Sequence, residues 1–495
     1  MKSWATLLKN FFLLSTLWHS GIANSEVSTS EQSSLIRAAI CGNAKTIEKL
    51  VAAGNDINTI DHRGYNLLMH AITSSNYDTS TAIEYMLTHG ANPAQQAYDG
   101  TSTLDLAFKA EKMALASTLF RNITTTPNFD LTTCRPSISF LITDLKFDTS
   151  GNVTILEFGE GTRSYFKGHD LLYPKGLVWQ NLWEYLGNKN LPMWHIGNLV
   201  TAGKESADIA IASLKSCGGL LHTSLHILEK EPAFKRIITA ARKANHSPAG
   251  IVVLHHHATN AAMLNYFKTT YPEIIIVNEA SRRFVNSKFM TNLLFENDEE
   301  LAHFRPQCKT YEKKFTKNLA DEIHADFAQH KKLVIKPIDS ANGWGVIITD
   351  HKNLGLELRT ILKNHAELEN SFDSTYTYWL NDTNKHFIVE AFARSKTIAN
   401  EGRNFDATMR QVFVVESNPS GISTTFIASY WKLPALSLSE KGSDTQRHKS
   451  NIKAGRKPSA KVSAEDDAAV QQTLRNIMPL LYKKMLQCSY QTERQ

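Results

Sequence analysis

The stretch Leu333-Val334-Ile335-Lys336-Pro337-Ile338-Asp339-Ser340-Ala341-Asn342-Gly343-Trp344-Gly345-Val346-Ile347-Ile348 has the most evident chemical use in this 495-residue chain. It reads as strand, flexible loop, strand. A lysine ending an apolar strand, Lys336, is a fixed point charge that can reach a phosphate. Gly343 and Gly345 let backbone N–H groups approach polyphosphate oxygens, because successive amides form an anion-binding concavity. The same pattern also suits an ordinary glycine-containing hairpin with a surface lysine, and alone it favours that plainer use. Two other segments invite chemistry. Gly159–Ser164, polar and glycine-rich, follows the strand-like Val153–Phe158 but lacks the spacing of a phosphate fingerprint. His255-His256-His257 follows another apolar run. Side chains alternate along a strand, so three adjacent histidines do not converge on one metal; one of them lining a crevice is the use left open.

The glycine hairpin does not stand alone. Asn278, Lys288, Arg305-Pro306 with Thr310, and Lys336-Pro337 with Gly343-Trp344-Gly345-Val346 occur in that order. Phe387–Phe392, Asp406–Val415 and Ser450–Gly455 follow. This series resembles the ATP-grasp superfamily over roughly Asn278 to the C-terminus. The resemblance implies ATP and Mg2+ as cofactors, with Lys288, Lys336, Gly343, Gly345 and Glu390 binding the nucleotide. It implies catalytic roles for Lys336, for Arg410 at the transferring phosphoryl group or a substrate carboxylate, and for Asn451 near the triphosphate. For the metal it offers Asp406 and the pair Glu416 and Asn418 of Glu416-Ser417-Asn418-Pro419. That pair, however, falls between the strand-like runs Val412–Val415 and Thr424–Ile427 and also reads as a plain hairpin. The family's metal pair is expected after Asn451 and a helix, where a final helix at about Asp467–Gln487 leaves only a short polar tail. The reaction implied is carboxylate activation to an acylphosphate and its capture by an amine from an amino acid, peptide or protein, in a ligase either active or weakened in its chemistry.

A helical repeat precedes this region. Leu35–Ala39, Gly42, Ile47, Gly54, Asp56–Asn58, Asp61 and Gly64 are echoed by Leu67–Ala71, Ile83, Gly90–Asn92, Asp99 and Gly100. Small residues such as Ala38, Ala39 and Ala71 let two short helices approach, and Gly54 and Gly90 suit helix ends that need a left-handed backbone. The pattern resembles the ankyrin repeat family, with two clear units and a degenerate third. Such arrays bind a protein partner on their concave face, or here serve as a cap on the neighbouring domain. His70 is expected to stabilise the turn rather than bind metal.

The elements that must position these residues form a multidomain α plus α/β chain, a short ankyrin-type solenoid followed by an ATP-grasp-like α/β fold. The segments are a possible signal peptide at 1–24, repeats at 30–125, an α/β substrate domain at 135–277 and the nucleotide-binding domain at 278–487, with a basic polar loop at 437–463. Ile209–Ala212, Ile251–Leu254 and Ile274–Val277 read as strands, with helical periodicity at Glu229–Ala244 and Ala261–Thr269, an alternation that argues for a largely parallel sheet. Apolar content of 42% and charged content of 21% are ordinary for a soluble globular protein. The net charge of +6 is spread thinly, and no specific nucleic acid is expected. Five cysteines far apart, Cys41, Cys134, Cys217, Cys308 and Cys488, support neither a disulfide framework nor structural zinc. Lys2 and Lys9 flank apolar residues that continue to Trp18, like an export signal and too interrupted for a membrane span. Export conflicts with ATP use and free thiols unless the protein is delivered from a bacterium into a host cytoplasm; a cytoplasmic protein is the alternative.

Overall fold

The computed structural model describes residues 29–125, 129–245, 247–255, 261–285, 287–296, 298–340, 343–363, 374–450 and 459–490. The N-terminal signal-like segment, His256, His257, Asn342 and Asn451 lie outside them. The chain forms two compact units, Met1–Asn92 and Pro93–Gln495.

The first unit pairs helix Thr29–Ile40 with Ala44–Ala52, and Leu67–Thr73 with Ser80–Thr88. Ala38, Ala39, Ala71 and Ala82 are buried where these helices approach. Asn66 caps the third helix by accepting from Met69 N at 3.0 Å, satisfying an amide the helix start leaves open. The connecting turn is held by Asp61, whose Oδ1 accepts from Arg63 N and Tyr65 N. Gly54 and Gly90 take the positive φ that their helix ends require. His70 is buried in the middle of helix Leu67–Thr73, with Nε2 3.3 Å from Asp61 Oδ2 of the preceding turn.

The second unit begins with a further helix pair, Thr103–Lys109 and Met113–Thr124. Three principal sheets follow. A four-stranded parallel sheet is ordered β4-β3-β5-β6, comprising β3 (Met193–Ile196), β4 (Leu220–His222), β5 (Gly250–Leu254) and β6 (Ile274–Ile276). A five-stranded antiparallel sheet is ordered β15-β14-β13-β1-β2, from β1 (Ser137–Phe147), β2 (Val153–Glu160), β13 (Thr408–Asn418), β14 (Gly421–Lys432) and β15 (Ser459–Ala460). The third, β7-β10-β8-β9, uses β7 (Cys308–Glu312), β8 (Lys332–Pro337), β9 (Ile347–Asp350) and β10 (His386–Ala391), again antiparallel. A small hairpin joins β11 (Ile398–Asn400) to β12 (Arg403–Phe405).

The expected parallel sheet is therefore present between 193 and 276, but the other two principal sheets are antiparallel. Ile209–Ala212, expected as a strand, lies inside helix Lys204–Ser216. The four-residue apolar run is too short to show its period; Ala210 and Leu214, one helical turn apart, are the positions that face the core. The helical stretch at Glu229–Ala244 is two helices, Leu225–Lys230 and Pro232–Ala244, because Pro232 cannot continue the first and opens the second.

Side-chain alternation explains how two of these sheets come to hold a site. In β8, Leu333 and Ile335 pack against the helices behind the sheet, while Val334 and Lys336 face the other way. In β10, Phe387 and Val389 join that core and Glu390 faces away from it. One face of the five-stranded sheet changes character along its length. Ile138, Phe140, Ile142, Val412 and Val414 pack against Trp179 and Trp183 of helix Leu177–Gly187 at one end. Asp144, Lys146, Thr408 and Arg410 continue the same face at the other. On the reverse face, Tyr482 of helix Ala464–Tyr490 bonds Ser137 and Ser139 at 3.0 Å.

Candidate functional site

Charged ends of two sheets enclose a cavity of about 510 Å³. Lys288, Lys336, Gly343, Glu390 and Arg410, singled out along more than a hundred residues of sequence, all line it. Six cationic side chains contribute to the wall, Lys146, Lys288, Lys336, Arg410, Lys432 and Lys449, against the carboxylates of Asp144, Glu157 and Glu390. An apolar slot adjoins them: Val334, Val346 and Ile348 cluster with Phe392 and line the same space.

Each cation is held by a specific partner. Lys336 and Arg305 both bind Glu390, the latter at 2.7 Å. Burial alone would push the Glu390 carboxyl up, but the two cations outweigh it and hold it below its ordinary range. Glu390 therefore acts as the anchor of Lys336 at the back of the wall. Lys288 donates to Ser340 Oγ at 2.9 Å and to the Ser340 carbonyl, and burial lowers its pKa. Arg410 grips Asp144 with two bonds of 2.7 and 2.9 Å, and Lys432 reaches the same carboxylate at 2.6 Å. Burial opposes the charge of Asp144, yet these two cations hold it well below the usual carboxylate range. Lys146 bonds the Asp406 carboxylate at 3.2 Å and the Ala407 carbonyl at 3.0 Å.

The hairpin between β8 and β9 carries the glycines. Gly343 and Gly345 both have positive φ, 68° and 72°. Gly345 needs its bare backbone twice over, since a Cβ there would stand 2.4 Å from the Pro337 ring. Its carbonyl accepts from the buried Trp379 indole at 3.0 Å, which fixes the loop from behind. Gly343 borders the cavity, whereas Gly345 shapes the loop without lining it.

The three residues expected to share a metal are not brought together. Asp406 is sealed in a cluster with Lys146, His448 Nδ1 at 2.7 Å and Ser395 N at 2.9 Å. Glu416 binds Tyr185 Oη at 2.6 Å and also Lys189. Thr408 and Glu416 are eight positions apart on the extended β13, roughly 26 Å at the strand rise. Asn418 lies at the tip of the β13–β14 hairpin, its Oδ1 accepting from Ser420 N at 2.8 Å. The plain-hairpin reading of Glu416 and Asn418 describes what they do here. Among the described residues no group of three or more His, Cys, Asp or Glu side chains is placed to hold a metal.

Several residues at the site carried no assignment from sequence. Asp144 and Lys146 sit two apart in the apolar run Ile138–Phe147, an alternation that marks a strand with a charged patch on one face. Lys432 and His448 offered no local signal; the pairing of β14 with β13 and the short helix Asp444–His448 bring them in. Arg305 belongs to a motif, but nothing local in the sequence marks it as the partner of Glu390. Asn278 ties two elements together: its Oδ1 accepts from Phe140 N at 2.6 Å and its Nδ2 donates to Thr162. The Gly159–Ser164 segment ends β2 and forms a short 3-10 turn, with Tyr165 just beyond it at the cavity.

No family model and no curated protein matches the chain. Among solved structures it is similar to an ankyrin repeat domain from Acinetobacter baumannii AYE, at 29% identity and a TM-score of 0.17. The match covers 18% of this chain and 46% of that one, so the chain spans about half the length of that domain. Among the described residues no helix is long and apolar enough to cross a membrane.

Proposed function

We propose that the cavity binds ATP and that the chain is an ATP-dependent carboxylate–amine ligase of the ATP-grasp type. The observation that carries this reading is the meeting of Lys288, Lys336, the Gly343 loop and Arg410 around one space of about 510 Å³. The excess of cations on the wall suits a polyanion, and the slot of Val334, Val346, Ile348 and Phe392 suits a planar base. In this reading Lys288 and Lys336 neutralise phosphate oxygens, and backbone N–H groups of the glycine hairpin add to them. Arg410, held in one orientation by Asp144, faces the oxygens of the substrate carboxylate. That carboxylate attacks the terminal phosphorus, ADP leaves, an amine displaces phosphate from the acylphosphate, and an amide results. The described residues do not fit the magnesium site the family uses, and no step is assigned to a metal.

That misfit favours a second reading, a nucleotide-binding protein whose chemistry is weakened and whose helix pairs recruit a protein partner. Release of ADP from Mg-ATP in the presence of amino acids and peptides separates the two. Stoichiometric ADP, phosphate and amide support the ligase. Nucleotide binding without turnover across the panel leaves the second reading, and γ-phosphate transferred to a protein hydroxyl would contradict both.

A further inference from the structure

Of the cavities of about 510 and 360 Å³ in this unit, the larger carries a polar ring at the edge of its apolar slot. Helix Asp444–His448 is fastened beside that slot. Ile348 N donates to Thr445 Oγ1 at 3.0 Å, and Asp444 pairs at 2.6 Å with Lys332, the first residue of β8. His448 ends the helix and meets Phe392 of the slot edge-on, with ring centroids 5.0 Å apart. Both residues line the cavity.

The two ring nitrogens of His448 are placed differently. Nδ1 lies 2.7 Å from Asp406 Oδ2. Burial would raise the Asp406 carboxyl, but Lys146, His448 and the Ser395 amide outweigh it and hold it below its ordinary range. An ionised carboxylate only accepts, so Nδ1 carries the proton of that bond. Lys146 already balances the charge of Asp406, and the neutral imidazole then has its lone pair on Nε2. Nε2 makes no hydrogen bond among the described residues, and it is not one of the nitrogens sealed from solvent. Asp444 Oδ1 stands 3.9 Å from it, beyond hydrogen-bond reach, and is taken by Arg447 at 2.9 Å. The result is an acceptor of fixed orientation, open beside the apolar side chains of Val334, Val346, Ile348 and Phe392.

We propose that His448 selects the base of the bound nucleotide: its Nε2 accepts a hydrogen bond from an exocyclic amine, so adenine is taken and a base with a carbonyl at that position is refused. This rests on the nucleotide reading of the cavity and concerns the base alone. Where adenine presents an amine donor, hypoxanthine presents a carbonyl oxygen. Against Nε2 that oxygen sets two acceptors face to face and leaves both unpaired. A site built to receive a donor rejects the analogue that lacks it.

Calorimetric titration of the full chain with magnesium at about pH 8, above the ordinary histidine range, tests it. The probes are a non-hydrolysable ATP analogue and its inosine counterpart. Wild type should bind the ATP analogue about tenfold or more tighter than the inosine analogue. His448→Phe offers a ring to Phe392 but no acceptor, and should bring the two affinities within about threefold by weakening the ATP analogue. His448→Gln, whose amide can turn either its carbonyl or its NH2 group to the base, should also close the gap, and it decides the matter if His448→Phe fails to fold. Failure of both analogues to bind, or equal binding by Lys336→Ala, removes the nucleotide reading and this proposal with it. An ATP analogue bound by wild type with no preference over inosine, or a preference that survives the His448 variants, overturns this proposal alone.

Discussion

Lys336 and Arg305 share one carboxylate, and that sharing sets what each can do. Glu390 is 1% exposed and accepts from both, and among the described residues neither cation is ion-paired with another carboxylate. Glu390→Gln would leave two buried cations uncompensated, a change that costs about 3–5 kcal/mol when one partner of a buried pair is lost. Urea denaturation should show a loss of that order, and a change under about 1 kcal/mol would mean that the ion cluster is not closed as described. Two histidines make a separate prediction. Burial lowers His169 to about 4 and His195 to about 3. The unfolded chain, with histidines near 6.5, takes up protons at a pH where these two stay neutral. Stability should therefore be full above about pH 6.5 and fall as the pH drops toward 4, by roughly 2 kcal/mol per histidine at pH 5. His195→Phe should flatten the slope between pH 7 and pH 5; an unchanged slope would show that His195 titrates normally. At this scale the sequence was readable where a charge interrupts an apolar strand, as at Lys336 and Glu390. It was silent on partners such as Asp144 for Arg410, because their pairing depends on a strand 266 positions away.

The glycine hairpin is the element on which nucleotide affinity should turn. Gly345→Ala places a methyl 2.4 Å from Pro337 Cγ and forces positive φ on a residue that resists it. About 1–3 kcal/mol of strain follows, or a displaced loop. At Gly343 the same positive-φ strain applies, but the nearest atoms to the added methyl are those of the Lys449 side chain at 3.5 Å and beyond, an ordinary contact. Gly343→Ala should thus cost less stability than Gly345→Ala, measured as melting temperatures side by side, and the opposite order would contradict the geometry. The hairpin was legible because an apolar run, two glycines and a second apolar run allow few alternatives. Helix Lys204–Ser216 was not, because Ile209–Ala212 satisfies strand and helix equally over four residues. β1 is buried on both faces from Ser137 to Phe147, so its period of two shows only at the charged end, where Asp144 and Lys146 alternate with Leu145 and Phe147.

The five-stranded sheet joins distant parts of the second unit. β1 and β2 come from residues before 161, whereas β13 and β14 come from beyond 407 and supply the neighbour of β1. The order of motifs, which changes near residue 278, carries no information about which strands pair. Truncation before Thr408 would strip β1 of its β13 partner from Ser137 to Leu145 and leave that edge of the strand unpaired. Such a chain should be insoluble or lack cooperative unfolding by circular dichroism; a soluble, cooperatively melting product would show that the sheet is not shared. The larger cavity depends on this joining, since one wall is β8 and β10 and the other is β1 and β13.

Titration of the intact protein with a non-hydrolysable ATP analogue and magnesium, followed by calorimetry, bears on the nucleotide site most directly. The wild-type chain should bind one equivalent at micromolar to millimolar concentration, and Lys336→Ala, measured below its own melting temperature where it is still folded, should lose about tenfold or more of that affinity. No binding at millimolar analogue, or equal binding by the two proteins, would contradict the reading of this cavity as a nucleotide site.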